Sequence, residues 1–240
     1  MVQPLEWLLV TLQIYRHVWA RAAALALKNW PVFGSLVVYH LIWTVAATVC
    51  LPLGIAGGFV LTIVKAACLG SFLYLVEMIV RTSKVTLEDF RRSFGTYLWD
   101  VVGITFVFWI FFRLATPAIA QLPQGFLILL FVEIAGFVVF NAVPELIYLG
   151  HYSSLALLSE SYAFIAANWI EWFPANLVAA GILYAVAAVP LNGLAVYVQT
   201  GVLGLLVYFT MVMRGLLFVE LHGSTQRSRA FKYRMDKNGA

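Results

Sequence analysis

Lys65, Arg113 and Glu133 are ionisable residues set in the middle of long apolar runs, and they are where this sequence could do chemistry. An ionised side chain near the centre of a bilayer costs about 2.5–3.5 kcal/mol on insertion scales, so each needs a partner or a use. Glu133 follows Lys65 by 68 positions, the corresponding place in the last apolar run is Tyr208, and Arg113 should face Glu133 at nearly the same depth across an antiparallel hairpin. These four are the expected intramembrane polar centre. Two cations and one carboxylate leave a nominal excess of +1, which suits a lipid phosphate, a small carboxylate, a deprotonated Lys65 or an Arg113 that snorkels to water. A structural role ranks ahead of anion binding: Glu133 pairs with one cation and holds helices together, while the other cation reaches water.

Glu77, Glu145 and Glu220 form a second set, near the inner ends of their runs. A carboxylate at a helix C-terminus opposes the helix dipole, so something else should hold each one. Arg81 lies one turn after Glu77; for Glu145 and Glu220 the expected partners are Arg91, Arg92 or Lys28, and Arg214 suits any of the three. Locking helices together ranks ahead of a cation-binding or proton-accepting ring. Little else carries chemistry. His40 stands alone in its run, and His17, His151 and His222 lack metal-site spacing. Cys50 and Cys68, 18 apart, fit neither a metal site nor a redox pair. With no phosphate-cradling glycine loop or nucleophile elbow, the sequence leads us to expect no catalytic residue, no metal and no cofactor.

The elements that must position these residues are membrane helices. Hydrophobic residues make up 63% of the 240 positions against 11% charged, with mean hydropathy +0.92, outside the range of soluble domains. A spanning helix needs roughly 20 apolar residues, and six runs qualify: 32–51, 55–80, 101–120, 126–148, 173–189 and 201–221. Arg16, Arg21 and Lys28 precede the first; Arg81, Lys84, Arg91 and Arg92 follow the second; Arg227, Arg229, Lys232, Arg234 and Lys237 follow the sixth; the turns at Pro52, 117–124 and 190–199 carry no charge. The positive-inside rule then places both termini in the cytoplasm. Arg91, Arg92, Arg227, Arg229, Lys232 and Arg234 are the expected contacts to anionic lipid headgroups. The net charge of +4 does not indicate nucleic acid, because no basic and aromatic groove accompanies it. Residues 1–16 lack the basic region and small-residue cleavage site of a signal peptide.

A shift of 68 lays Glu77 on Glu145, Ile79 on Ile147, Leu87 on Leu155 and Ser93 on Ser161, and a further shift of 75 lays Glu145 on Glu220. The apolar stripes after Thr86 and Ser154 also coincide, and Thr86 with Asp89 forms a capping-box pattern. The unit is an interfacial helix followed by a two-helix hairpin, three times over. The interfacial helices are expected at 1–30, with Leu5, Leu8, Leu12, Tyr15, Trp19 and Ala22 as the apolar face opposite Glu6, Gln13, Arg16 and Arg21, and at 86–98 and 154–169. Trp30, Trp99 and Trp169 should mark the inner membrane interface. The fold class is all-α: one polytopic membrane domain over 1–222 with six spans in three pseudo-repeated hairpins, and a basic cytoplasmic tail over 223–240 that reads equally as a membrane-surface segment or a partner peptide.

Pro144-Glu145, then Leu155, Ser159 and Asn168-Trp169 ahead of a new span, resemble a bacterial group of six-span proteins related to the membrane domain that precedes some glycerophosphodiester phosphodiesterases. The resemblance covers the second half of the chain and implies a protein of the bacterial cytoplasmic (inner) membrane. The hydrolytic domain has no counterpart in this sequence, so no catalytic residue carries over. Three functions are ranked: a non-enzymatic membrane subunit or scaffold contacting anionic lipid and a protein partner; a transporter or channel-like carrier using the polar centre for a small anion, lipid headgroup or proton; and a lipid-modifying enzyme.

Overall fold

A computed structural model describes residues 4–238, with side chains described for 7–153, 155–231 and Met235. Leu5 and Glu6, the Ser154 cap, and the Lys232 and Arg234 side chains therefore lie outside the described residues. The chain is 87% helix, with no strand among the described residues. Among the described residues, five stretches are long and apolar enough to cross a membrane: Pro31–Thr82, Leu98–Ala120, Gly125–Gly150, Leu155–Ala187 and Leu194–Leu221.

The first stretch holds two helices, α2 (Pro31–Cys50) and α3 (Gly54–Thr82), parted by a 3-10 turn at Leu51–Leu53. Pro52 supplies the turn, and Gly54 takes φ 54°, a conformation glycine adopts without a Cβ penalty. A Cβ on Gly57 would lie 2.2 Å from the Cys50 carbonyl oxygen, so the turn closes tightly. The remaining helices are α1 (Pro4–Lys28), α4 (Leu87–Ser93), α5 (Leu98–Ala120), α6 (Gly125–Val139), α7 (Val143–Glu145), α8 (Ser154–Ala187), α9 (Leu194–Leu221) and α10 (Gln226–Asn238), with a π turn at Leu146–Gly150 after α7.

Local chemistry explains several boundaries. α4 starts at the expected capping box, in which the Asp89 amide donates to Thr86 Oγ1 and the Thr86 amide donates to Asp89 Oδ2. Pro144 interrupts the fourth apolar run. The Val143 amide turns back to Phe140 O at 3.2 Å, and the freed Val139 carbonyl accepts from Ser161 Oγ at 2.8 Å. α8, in contrast, does not follow the expected division into an interfacial helix over 154–169 and a span from 173. It runs unbroken for 34 residues. Asn168 points its amide oxygen at Arg229, and side chains supply donors near Pro174: Tyr15 Oη to Glu171 O at 2.6 Å and Asn176 Nδ2 to Trp172 O at 2.6 Å.

The helices gather into two compact units interleaved in sequence: Met1–Phe33, Ile79–Lys84 and Asn168–Ala240 form one, Gly34–Met78 and Val85–Ala167 the other. In the first, α1 packs along α9. Its buried stripe is Val10, Ile14, Val18 and Ala22, the four-residue spacing of a helix face. Leu8 and Leu12 of the expected membrane-facing side stay exposed, and Ala22 is shared with the side that packs on α9. The 223–240 tail forms α10, which contacts α1 and buries Arg229 and Ala230. In the second unit, Tyr39 of α2 packs on Phe90 and Phe94 beside α4, at ring distances of 6.2 and 6.0 Å. A Cβ on Gly70 of α3 would come within 3.1 Å of the Tyr97 carbonyl carbon, which records the close approach that Ala66, Gly70 and Ser71 permit.

Candidate functional site: closed polar networks and open mid-helix charges

In the first unit the polar groups converge on Glu171 of α8, 2% exposed. Its Oε1 accepts from Trp7 Nε1 and from Arg229 Nη2, both at 3.1 Å, while Oε2 has no hydrogen-bond partner. Arg229 is 3% exposed. It also donates to Asn168 Oδ1 at 3.2 Å, to Ser224 Oγ at 2.8 Å and to the carbonyls of Ser224 and Leu221. Five donations from one guanidinium fasten the tail helix to α8 and to the end of α9. Arg229 is therefore not a headgroup contact: its charge is held inside by a carboxylate and by the carbonyls of Leu221, at the end of α9, and Ser224, just past it. Burial pushes the Tyr15 phenol up to about 12, and the Glu171 charge adds to the shift, so the hydroxyl stays a donor.

A second layer lies beside it. Arg214 sets its guanidinium 5.0 Å from the Trp172 ring centroid and donates to Asn176 Oδ1 at 2.9 Å. Trp172 meets Phe218 edge-on, and His222 stacks on Phe218 at 4.7 Å. Tyr208, expected in the intramembrane centre, is fully buried and donates to Ala26 O (3.3 Å) and Asn29 O (3.0 Å). Asn29 Nδ2 donates to Leu25 O and Ser83 O. Together these side chains bind carbonyls at and just beyond the C-terminal end of α1 and tie them to Ser83. Glu220 is half-buried and, with His17, Arg21, Val18, Val80, Leu216 and Val219, lines a cavity of ≈ 50 Å³, room for water and little more.

The second unit buries Glu77 and Glu145. Tyr97 Oη donates to Glu77 Oε2 at 2.5 Å, and His151 Nε2 lies 3.7 Å from Oε1. His151 is held there by a left-handed backbone, φ 55°. Tyr39 Oη, Ser71 Oγ and Ser93 Oγ form a buried hydroxyl chain, which ends on Phe90 O at 2.7 Å. Of the expected headgroup contacts, Arg91 and Arg227 are exposed and make no hydrogen bond or ion pair with a described residue, and Arg92 pairs with Glu88 at 2.8 Å.

Lys65, Arg113 and Glu133 belong to this second unit, on α3, α5 and α6, and all three are exposed. None makes a hydrogen bond or ion pair with a described residue. The expected pairing of Arg113 with Glu133 does not form, and Tyr208 belongs to the other unit. The sequence reading did not single out Glu171, Trp7 or Asn168 for this network. The one available signal was a carboxylate inside the aromatic run 169–173; its partners lie 58 and 164 positions away, where no local spacing points.

Among the described residues, no three His, Cys, Asp or Glu side chains gather as a metal site. No protein-family model, curated protein or solved structure matches the chain.

Proposed function

We propose that this chain is a multi-pass subunit of a bacterial cytoplasmic-membrane assembly, with six spans in three repeated hairpins and both termini in the cytoplasm, whose role is to scaffold rather than to catalyse. The observation that carries the reading is the open state of Lys65, Arg113 and Glu133. Each lies well inside a helix apolar enough to span, with its side chain exposed and no hydrogen-bond or ion-pair partner among the described residues. Left in lipid, each would cost about 2.5–3.5 kcal/mol. A neighbouring protein that pairs them removes that cost, and a scaffold is a protein with such neighbours.

The repeat reading is supported by two contacts that coincide under the shift of 68. Ser71 bonds Ser93 across 22 positions, and Val139, at the place of Ser71, bonds Ser161, at the place of Ser93, across the same 22. Turns free of charge at one end of the helices, and Arg91 and Arg227 free at the other, support inner-face lipid contact. The carrier reading would route an anion or proton past the same three charges; their outward exposure favours a protein neighbour.

A photoreactive amino acid at position 109 or 137, one helical turn from Arg113 or Glu133, tests the reading in native membranes. Protein adducts are expected, and labelling of lipid alone would overturn it. Reporter fusions at the two ends should both read as cytoplasmic.

A further inference from the structure

We infer that the neighbour at this surface is a second copy of the chain, paired through reciprocal contacts between Arg113 of one protomer and Glu133 of the other; the inference rests on the membrane-subunit reading above. α5 and α6 are consecutive antiparallel helices joined across 121–124. Arg113 lies seven residues before the end of α5 at Ala120, and Glu133 eight residues after the start of α6 at Gly125. At 1.5 Å per residue, the two sit about 10 and about 12 Å from the connecting turn, level to within about 2 Å. A cation and an anion at one depth on one hairpin are self-complementary under a two-fold axis along the membrane normal, so one dimer forms two identical ion pairs.

The flanking residues fit the same contact. Phe126, Leu130, Glu133 and Phe137 follow one another at alternating steps of four, three and four along α6, and Phe106, Trp109, Arg113 and Pro117 mark the matching face of α5. All are exposed. That spacing is the seam of a helix–helix contact, with the charge inside it and aromatic rings on either side to exclude water. Lys65 lies about 17 Å from the start of its helix, deeper than the pair, and its long flexible stem allows it to reach polar groups at another level.

Charge reversal in trans decides the matter. Arg113→Glu alone sets carboxylate against carboxylate, and Glu133→Arg alone sets guanidinium against guanidinium, so each variant by itself should lose dimer by at least about tenfold in lipid nanodiscs. Co-expressed with different affinity tags, the two variants should form mixed dimers at the wild-type level, because each contact again joins opposite charges. Pairing within a single chain cannot produce that rescue. Monodisperse elution and retained helix content of each variant report folding; a variant failing there is replaced by Arg113→Gln with Glu133→Gln, which should weaken self-association without reversing it. The inference is overturned if the wild-type chain is monomeric in nanodiscs or if mixed dimers form no better than either variant alone. Adducts at position 109 or 137 to a different protein would sink the second copy and leave the subunit reading standing; adducts to lipid alone would sink both.

Discussion

Helix α9 and the α5–α6 hairpin have similar compositions and opposite fates. α9 buries eight residues, from Tyr208 to Leu221, whereas α5 buries only Val101 and Ile104 and α6 only Gly125. The polar residues follow the same division. Around α9 the Tyr15 and Tyr208 hydroxyls have acceptors, and Arg214 and Arg229 are enclosed by aromatic rings, carbonyls and amides. On the hairpin, Arg113 and Glu133 stand open. Charge in the first region holds the fold together, and Arg113 and Glu133 in the second make no hydrogen bond or ion pair with a described residue. The distinction is one of partners rather than of residue type, since both regions use arginine and glutamate.

Substitutions can break that contrast or sharpen it. The largest effect is expected from Arg229→Ala or Glu171→Ala, each of which strands a buried charge and should lower unfolding stability by about 3–5 kcal/mol, read by thermal or denaturant unfolding in detergent. Gly70→Ala comes next: the new methyl meets backbone atoms at Tyr97 and Leu98 rather than a movable side chain, for an overpacking penalty of about 1–3 kcal/mol. Ser161→Ala leaves the Val139 carbonyl without its donor and should cost about 1 kcal/mol. The hairpin charges should behave otherwise, with Arg113→Gln and Glu133→Gln changing the unfolding of the dissociated chain by no more than about 0.5 kcal/mol. A loss as large as that of Arg229→Ala would erase the distinction.

Alkaline pH probes the closed network separately. The folded Tyr15 phenol is raised from its ordinary 10.0 to about 12. Its contribution is therefore complete below pH 10 and is lost as pH climbs through 12, because the unfolded chain gives up that proton first. Alkaline titration of stability should show a decline in that window, and Tyr15→Phe should flatten it.

Much of the scaffold was legible from local pattern. The apolar runs and the Thr86 cap each follow from residues within a few positions of one another. The misreadings had a common cause. The continuity of α8 through Asn168 and the burial of Arg229 are set by partners on distant helices. In an apolar chain many helix faces could serve as the core side, so periodicity alone does not choose among them. A basic tail looks like a lipid anchor until its carboxylate partner is located in space.

The unbroken length of α8 has a consequence of its own. Thirty-four residues make a rod about 51 Å long, set against a hydrocarbon slab of about 30 Å. On the membrane-subunit reading, an upright α8 with Ala187 at the far boundary outruns the slab by about 21 Å. On that ruler Glu171 sits about 24 Å from the far end, just inside the near boundary, where the slab gives way to headgroups. The tail clasp is thereby shielded from ions of the bulk electrolyte, and its grip on α8 should barely change with ionic strength.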